Sequence, residues 1–228
     1  MRINADLSRR VAVASDGLPW VASPLPGVER RMLEREGAEV ARLTSLVRYA
    51  PNSRFSAHVH SGGEEFLVLD GTFSDDYGDF PAGTYVRNPV GSKHTPHTDG
   101  GCLILVKLWW MHPDDQEFVR VDTTRRDLWR AADVGGGVEV MPLHRFGDES
   151  VALYRLAPGA EVPPRSLPGG EELFVLDGAC RDAQGSYDEG TWVRSPIGEA
   201  PALVSDGGCR LYVKRGHLLH PPPGPSAH

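Results

Sequence analysis

Nothing at the start of this 228-residue chain resembles the apolar core of a secretion signal. No run of about 18 apolar residues could span a bilayer either. These two absences make the cytoplasm the expected location and leave no membrane partner. Cysteine is scarce: Cys102, Cys180 and Cys209 are widely spaced, and no two form a C-x-x-C pair. An odd number at such spacing argues for reduced, packed thiols over a disulfide framework or a zinc–thiolate site. A basic patch is also missing. The net charge is −7 and the arginines are scattered among acids, which excludes nucleic acid as a direct partner.

Turn-forming residues, by contrast, are plentiful. Twenty-six Gly and 19 Pro fit many short strands joined by tight turns. Runs such as Val47-Arg-Tyr49, Phe66-Leu-Val-Leu69, Thr84-Tyr-Val-Arg87 and Leu103-Ile-Leu-Val106 are short and rich in β-branched or aromatic residues. Clusters such as Asp75-Asp-Tyr-Gly-Asp79 bound them. The pattern predicts an all-β chain of sandwich or jelly-roll type.

The chain also repeats itself. Residues 51–108 align without a gap onto 158–215 at an offset of 107. Gly62-Gly-Glu-Glu-Phe-Leu-Val-Leu-Asp-Gly71 returns as Gly169-Gly-Glu-Glu-Leu-Phe-Val-Leu-Asp-Gly178. Gly83-Thr-Tyr-Val-Arg-Asn-Pro-Val-Gly91 returns as Gly190-Thr-Trp-Val-Arg-Ser-Pro-Ile-Gly198. The expected organisation is an N-terminal arm over 1–25, a first lobe over 26–112, a linker over 113–136, a second lobe over 137–217 and a Pro-rich tail over 218–228. Within the linker, Thr123-Thr-Arg-Arg-Asp-Leu-Trp129 predicts a short helical turn.

One constellation stands out in the first lobe: His58-Val-His60-Ser-Gly-Gly-Glu64, with His94 thirty residues further on. Two histidines at i, i+2 on a strand share a face, and a Gly-Gly turn can bring the following carboxylate back to it. Three imidazoles and one carboxylate suit a divalent first-row metal. At the 107 offset, His58, His60 and His94 become Arg165, Leu167 and Pro201, while Glu64 remains a glutamate as Glu171. The second lobe should therefore hold no metal, and Arg165 is expected to pair with Glu171 in its place. Glu65, Arg87 and Lys107 recur as Glu172, Arg194 and Lys214, so they are read as fold-keeping charges at the barrel surface or rim. His97 could border the site or cap a turn. His112, His144, His217, His220 and His228 match no ligand position.

These residues resemble the cupins. The first cupin motif, H-x-H-x(3,4)-E-x6-G, is met by His58, His60, Glu64 and Gly71. The second, G-x5-P-x-G-x2-H-x3-N, is met by Gly83, Pro89, Gly91 and His94, with Thr98 at the usual Asn. The spacing to Gly71 selects Glu64 over Glu65 as the ligand. The surrounding phrases are similar to the ChrR-like cupin family, which includes the metal-binding domain of some anti-sigma factors. The resemblance implies two tandem jelly-roll barrels, a bicupin, with one mononuclear site at His58, His60, Glu64 and His94. The sigma-binding helical domain of those factors is not expected before residue 26.

Two functions follow as expectations. Three neutral nitrogens and one carboxylate leave a divalent ion with a net charge of about +1 and, if six-coordinate, open positions for substrate. One expectation is a dioxygenase-like, non-haem metalloenzyme acting on a small oxygen-rich or dicarbonyl compound, with Phe55, Phe66, Val68, Tyr85 and Leu103 lining an apolar pocket. The other is a non-catalytic zinc-binding sensor. Fe(II) or Zn(II) is the favoured ion, with Mn(II) and Ni(II) also compatible with the donors. The expected partner is a small-molecule ligand or substrate, and a homodimer is allowed.

Overall fold

The computed structural model describes residues 1–222; the end of the expected Pro-rich tail, with His228, lies outside the described residues. The protein is built of antiparallel strands in two compact units. In the first unit the main sheet runs Arg2–Ile3, Val28–Gly37, Ala41–Tyr49, Cys102–Leu108, Glu64–Asp75, Thr84–Asn88 and Val119–Asp122. A two-stranded ladder, His58–Val59 against Lys93–His94, stands apart from it. In the second unit the order is Arg130–Ala131, Val138–Phe146, Glu149–Leu156, Cys209–Arg215, Glu171–Asp182, Thr191–Ser195 and Val11–Ala14. Its small ladder joins Arg165–Leu167 to Gly198–Ala200. Both units are cupin jelly rolls, and the predicted helical turn is a 3-10 turn at Arg126–Leu128. No helix among the described residues is long and apolar enough to cross a membrane.

Strand alternation decides which side chains fill each barrel. In the first unit Phe66 pairs with both Val86 and Val106, and Val68 with Ile104; all five face the same core. Their neighbours Glu65, Arg87 and Lys107 therefore point away from it. Tyr85 and Leu103 also fall on that outer side, so they do not line the barrel as expected. The period of two along each strand places Val86 and Ile104 inside instead. A register shift beside Leu103 and Ile104 bends the long strand before Gly71, and the same shift recurs before Gly178. Both glycines have positive φ (71° and 70°), and a Cβ on either would strike the carbonyl of Gly101 or Gly208. Only glycine fits at this corner, which explains its return in both repeats.

The outer charges are not at a rim. Glu65, Arg87 and Lys107 are each at most 2% exposed. Arg87 bonds Glu65 and also Asp115, which lies in the segment following the barrel, and Lys107 donates to Thr44 Oγ1 at 2.6 Å. That following segment folds back over the outer face, so charges legible as fold-keeping are buried as a network. His217, placed by sequence near a tail, is buried too, with Nε2 2.8 Å from Glu172. All three cysteines are free and buried.

Two strands sit where sequence order does not lead. Residues 119–122, inside the expected linker, form the outer strand of the first unit beside Thr84–Asn88. Residues 11–14, inside the expected arm, form the matching strand of the second unit beside Thr191–Ser195. The correspondence extends to the flanking turns: Thr123 N donates to Gly83 O, and Ser15 N donates to Gly190 O. Each barrel is thus completed by a strand that precedes the other barrel in the chain.

Candidate metal centre

The small ladder of the first unit aligns His58 directly opposite His94. His60 follows two residues on, as alternation requires for a shared face. Its backbone is clasped to the turn before His94: His60 N donates to Ser92 O, and Gly91 N donates to His60 O, both at 2.9 Å. The chain then reverses through Gly62 and Gly63 and enters the long strand at Glu64. A Cβ on Gly62 would meet the Trp109 ring and one on Gly63 would meet Met111, so the turn is pressed against the end of a neighbouring strand.

The three imidazoles converge. One ligating atom from each of His58, His60 and His94 lies within 4.8 Å of the others, and this group could hold a metal ion. The Nε2 atoms of His60 and His94 are 2.8 Å apart. Two nitrogens about 2.1 Å from one ion at a right angle would stand about 3.0 Å apart, so the spacing fits neighbouring positions of one coordination shell. Glu64 Oε2 lies 3.4 Å from His60 Nε2 and 3.7 Å from His94 Nε2, beside the trio. His58 is exposed, whereas His60, Glu64 and His94 are 8%, 6% and 2% exposed. The group consequently meets solvent at His58.

Partners on the far side of the rings set their tautomers. His94 Nδ1 lies 2.8 Å from Asp75 Oδ2, and His58 Nδ1 lies 3.1 Å from the Ser56 carbonyl. A nitrogen facing such oxygens carries the proton, which leaves the Nε2 lone pair of each ring for the site. Burial holds the His60 pKa below its ordinary value despite the opposing charge of Glu64, favouring the neutral ring. For His94 burial pulls the same way, but the hydrogen bond to Asp75 and the charges of Glu64 and Asp75 outweigh it and raise the pKa.

Asp75, Asn88 and Arg120 were absent from the sequence expectations. Asp75 was read only as part of a turn, and it does cap one, accepting from Tyr77 N at 2.7 Å. Asn88 Nδ2 donates to Glu64 Oε2 at 2.9 Å, and Arg120 Nη2 donates to Asn88 Oδ1 at 2.5 Å. The signal for Asn88 was present as a difference between repeats, since Ser195 stands in its place. His97 pairs with Arg54 in a separate strand and is outside the imidazole group. At the neighbouring position Thr98 Oγ1 donates to Thr72 O at 2.7 Å. Phe73 packs with its ring 5.9 Å from that of His94, and Phe66 and Phe55 continue the apolar surface.

The second unit shows what replaces the donors. Arg165 bonds Glu171 through Nη2, with Nε 3.3 Å from Oε2, as the sequence comparison anticipated. Arg215 adds a second bond to the same carboxylate at 2.7 Å, and also reaches the Tyr154 hydroxyl. Glu171 is buried, which disfavours its charge, yet Arg215 and Arg165 overcome this and hold its pKa below the ordinary value. A cavity of only about 10 Å3 remains there, room for one water at most.

Comparison with known proteins agrees with this architecture. The model of the ChrR Cupin-like domain matches twice, over residues 8–112 and 116–219. Similar solved structures include a candidate dioxygenase from Nostoc punctiforme, with 17% identity and a TM-score of 0.75 over 97% of this chain and 87% of that one. The Ylba protein of E. coli is 15% identical with a TM-score of 0.67, covering 93% of each chain. Oxalate decarboxylase of Bacillus subtilis, in a structure concerned with its Mn(II) centres, is 11% identical with a TM-score of 0.59 over 94% of this chain and 78% of that one. At these identities the likeness is one of fold. No curated protein matches the sequence.

Proposed function

We propose that this chain, which belongs to the ChrR cupin-like family, holds one divalent first-row metal on His58, His60, His94 and Glu64 and acts as a non-haem, dioxygenase-like metalloenzyme. Its substrate class is a small oxygen-rich or dicarbonyl compound able to offer two oxygen atoms to one ion. The observation that carries the reading is the convergence of three imidazoles with an open side at His58. The second unit fills the corresponding place with Arg165.

When bound, such an ion supplies Lewis acidity and, as Fe(II), one-electron chemistry toward O2. The protein's own groups do the rest. Asp75 and the Ser56 carbonyl keep His94 and His58 in the ligating tautomer. Phe55, Phe66 and Phe73 exclude water from the inner side, so a substrate enters past His58. The donor group is made of imidazoles and a carboxylate, so the protein's part is to bind, orient and shield.

Fe(II) and Zn(II) remain the favoured ions, with Mn(II) and Ni(II) accommodated by the same donors. Anaerobic loading of metal-free protein with each ion, followed by O2-uptake assays across diketones, phenols and flavonols, tests the enzymatic reading. Turnover with Fe(II), abolished in His60→Ala, is expected. Silence with every ion overturns it.

The family match favours one second reading, a zinc-binding regulatory cupin. It requires tightly held Zn(II) with a filled shell and a protein partner recovered by pull-down. Labile Fe(II) with exchangeable water excludes it.

A further inference from the structure

Glu64 is held by a one-way chain of hydrogen bonds. Arg120 Nη2 donates to Asn88 Oδ1 at 2.5 Å, and Asn88 Nδ2 donates to Glu64 Oε2 at 2.9 Å. The direction is fixed by chemistry, because a guanidinium can only donate. The oxygen of the Asn88 amide must face Arg120, so its NH2 must face the carboxylate. A flipped amide would set two donors against each other and turn its own oxygen toward an anion. Arg120 is itself immobilised: Nη1 donates to the carbonyls of Arg87 (2.8 Å) and Val119 (2.7 Å). Its guanidinium also lies 5.2 Å from the centre of the Phe80 ring. Neither Asn88 nor Arg120 touches the imidazoles through any described hydrogen bond, so both act through Glu64.

The second unit serves as an internal control. Asn88 lies opposite Glu64 in the ladder, and Ser195 lies opposite Glu171. Arg120 lies opposite Val86, and Ala12 lies opposite Val193. The amide and the guanidinium are therefore both missing from the barrel that lacks the three histidines. Fold-keeping residues behave differently: Glu65 and Arg87 recur as Glu172 and Arg194 in the same ladders. Asp75 also recurs, as Asp182, where it takes bonds from Arg10 and Tyr187. Asn88 and Arg120 follow the donors rather than the barrel.

We propose that Arg120 and Asn88 are positioning residues that aim Glu64 Oε2 at the ion held by His58, His60 and His94. The inference rests on the metal-binding reading above and extends it. Arg120 lies within the second matched repeat, residues 116–219, so that repeat supplies a working part of the first repeat's site. A barrel of residues 26–112 alone would hold the four donors and Asn88 but would lack Arg120.

The test uses full-length protein and Co(II), read by chelator competition and by the visible absorption of the bound ion. Wild type, Glu64→Gln, Asn88→Ala, Asn88→Ser, Arg120→Ala and Arg120→Lys are compared, with thermal melts to confirm folding. Asn88→Ala and Arg120→Ala should each weaken Co(II) binding about 10- to 100-fold, the range for outer partners of a metal ligand. Their Co(II) spectra should shift toward that of Glu64→Gln, and adding Asn88→Ala to Glu64→Gln should cost little more. Asn88→Ser keeps a small polar residue native to the other barrel, and it supports the proposal if it folds but shows the same shift. Arg120→Lys should recover part of the affinity. Wild-type affinity and spectrum in both alanine variants would overturn the positioning role while leaving the metal site standing. Failure of wild type to take up any Co(II) would instead remove the metal reading, and this inference with it.

Discussion

The two barrels share a backbone design and differ in how each stabilises one buried carboxylate. In the first, Glu64 is braced by an asparagine amide and faces the imidazoles of His60 and His94. In the second, Glu171 is neutralised within the protein by Arg165 and Arg215, and the space around it closes to about 10 Å3. A carboxylate retained inside a barrel needs a positive charge or a set of donors. One barrel meets that need with its own side chains and is chemically closed. The other supplies the Asn88 amide, and under the proposed function a bound ion supplies the positive charge. The lesson is that the glutamate recurs in both barrels, while the histidines, Asn88 and Arg120 give it different surroundings in the first.

The contrast can be broken most sharply at the donors. His94→Ala should reduce metal affinity by more than about 100-fold, beyond the usual loss for an outer partner, as measured by chelator competition. The reverse experiment, Arg165→His with Leu167→His and Pro201→His, should leave the stoichiometry at one ion per chain. Asp182 there is already engaged by Arg10 and Tyr187, and Ser195 replaces the amide that holds Glu64. Two ions per chain by elemental analysis would show that the histidines alone suffice.

Removing metal from the wild type should lower stability by about 2.7 kcal/mol at a hundred-fold excess over Kd, without unfolding the chain. The second barrel already shows that the jelly roll forms with no donor set. Complete loss of circular dichroism on chelation would contradict this. Arg165→Ala should cost about 2 kcal/mol in urea denaturation, less than the roughly 3–5 kcal/mol of a fully broken buried pair because Arg215 remains.

The smallest effect expected is on pH dependence. Arg215 and Arg165 hold the folded pKa of Glu171 below its ordinary carboxylate value, so the pairing contributes stability fully above that ordinary value. That contribution is lost as pH falls through the lower folded value. Arg165→Ala should flatten the acid limb of stability against pH. An unchanged limb would show that Arg215 alone sets the charge of Glu171.

Much of the site was legible because its signals are local. The period of two placed His58 and His60 on one face, and the turn glycines placed Glu64 beside them. Loss of the three histidines from the second repeat, with Glu171 kept, correctly anticipated the Arg165 pair. What escaped were groups that reach the site across strands. Asp75 lies at the far end of the same strand as Glu64, and Arg120 arrives on a strand expected to be linker. Tyr85 and Leu103 were assigned to the wrong side of the wall, because a one-residue difference in a strand reverses the face. Glu65, Arg87 and Lys107 were recognised as structural but not as buried, since Asp115 and the segment that covers them lie beyond the repeat.

By itself the sequence determined that there are two barrels and that the three histidines His58, His60 and His94 stand in only the first, with Arg165, Leu167 and Pro201 in their place in the second. These properties rest on side-chain identity, spacing and turn chemistry, all of which act over a few residues. The tertiary structure alone decided that residues 11–14 complete the second barrel and residues 119–122 the first. Backbone hydrogen bonds between strands are indifferent to side-chain identity, so no local pattern names the partner of an edge. That pairing is what carries Arg120 to the brace of Glu64.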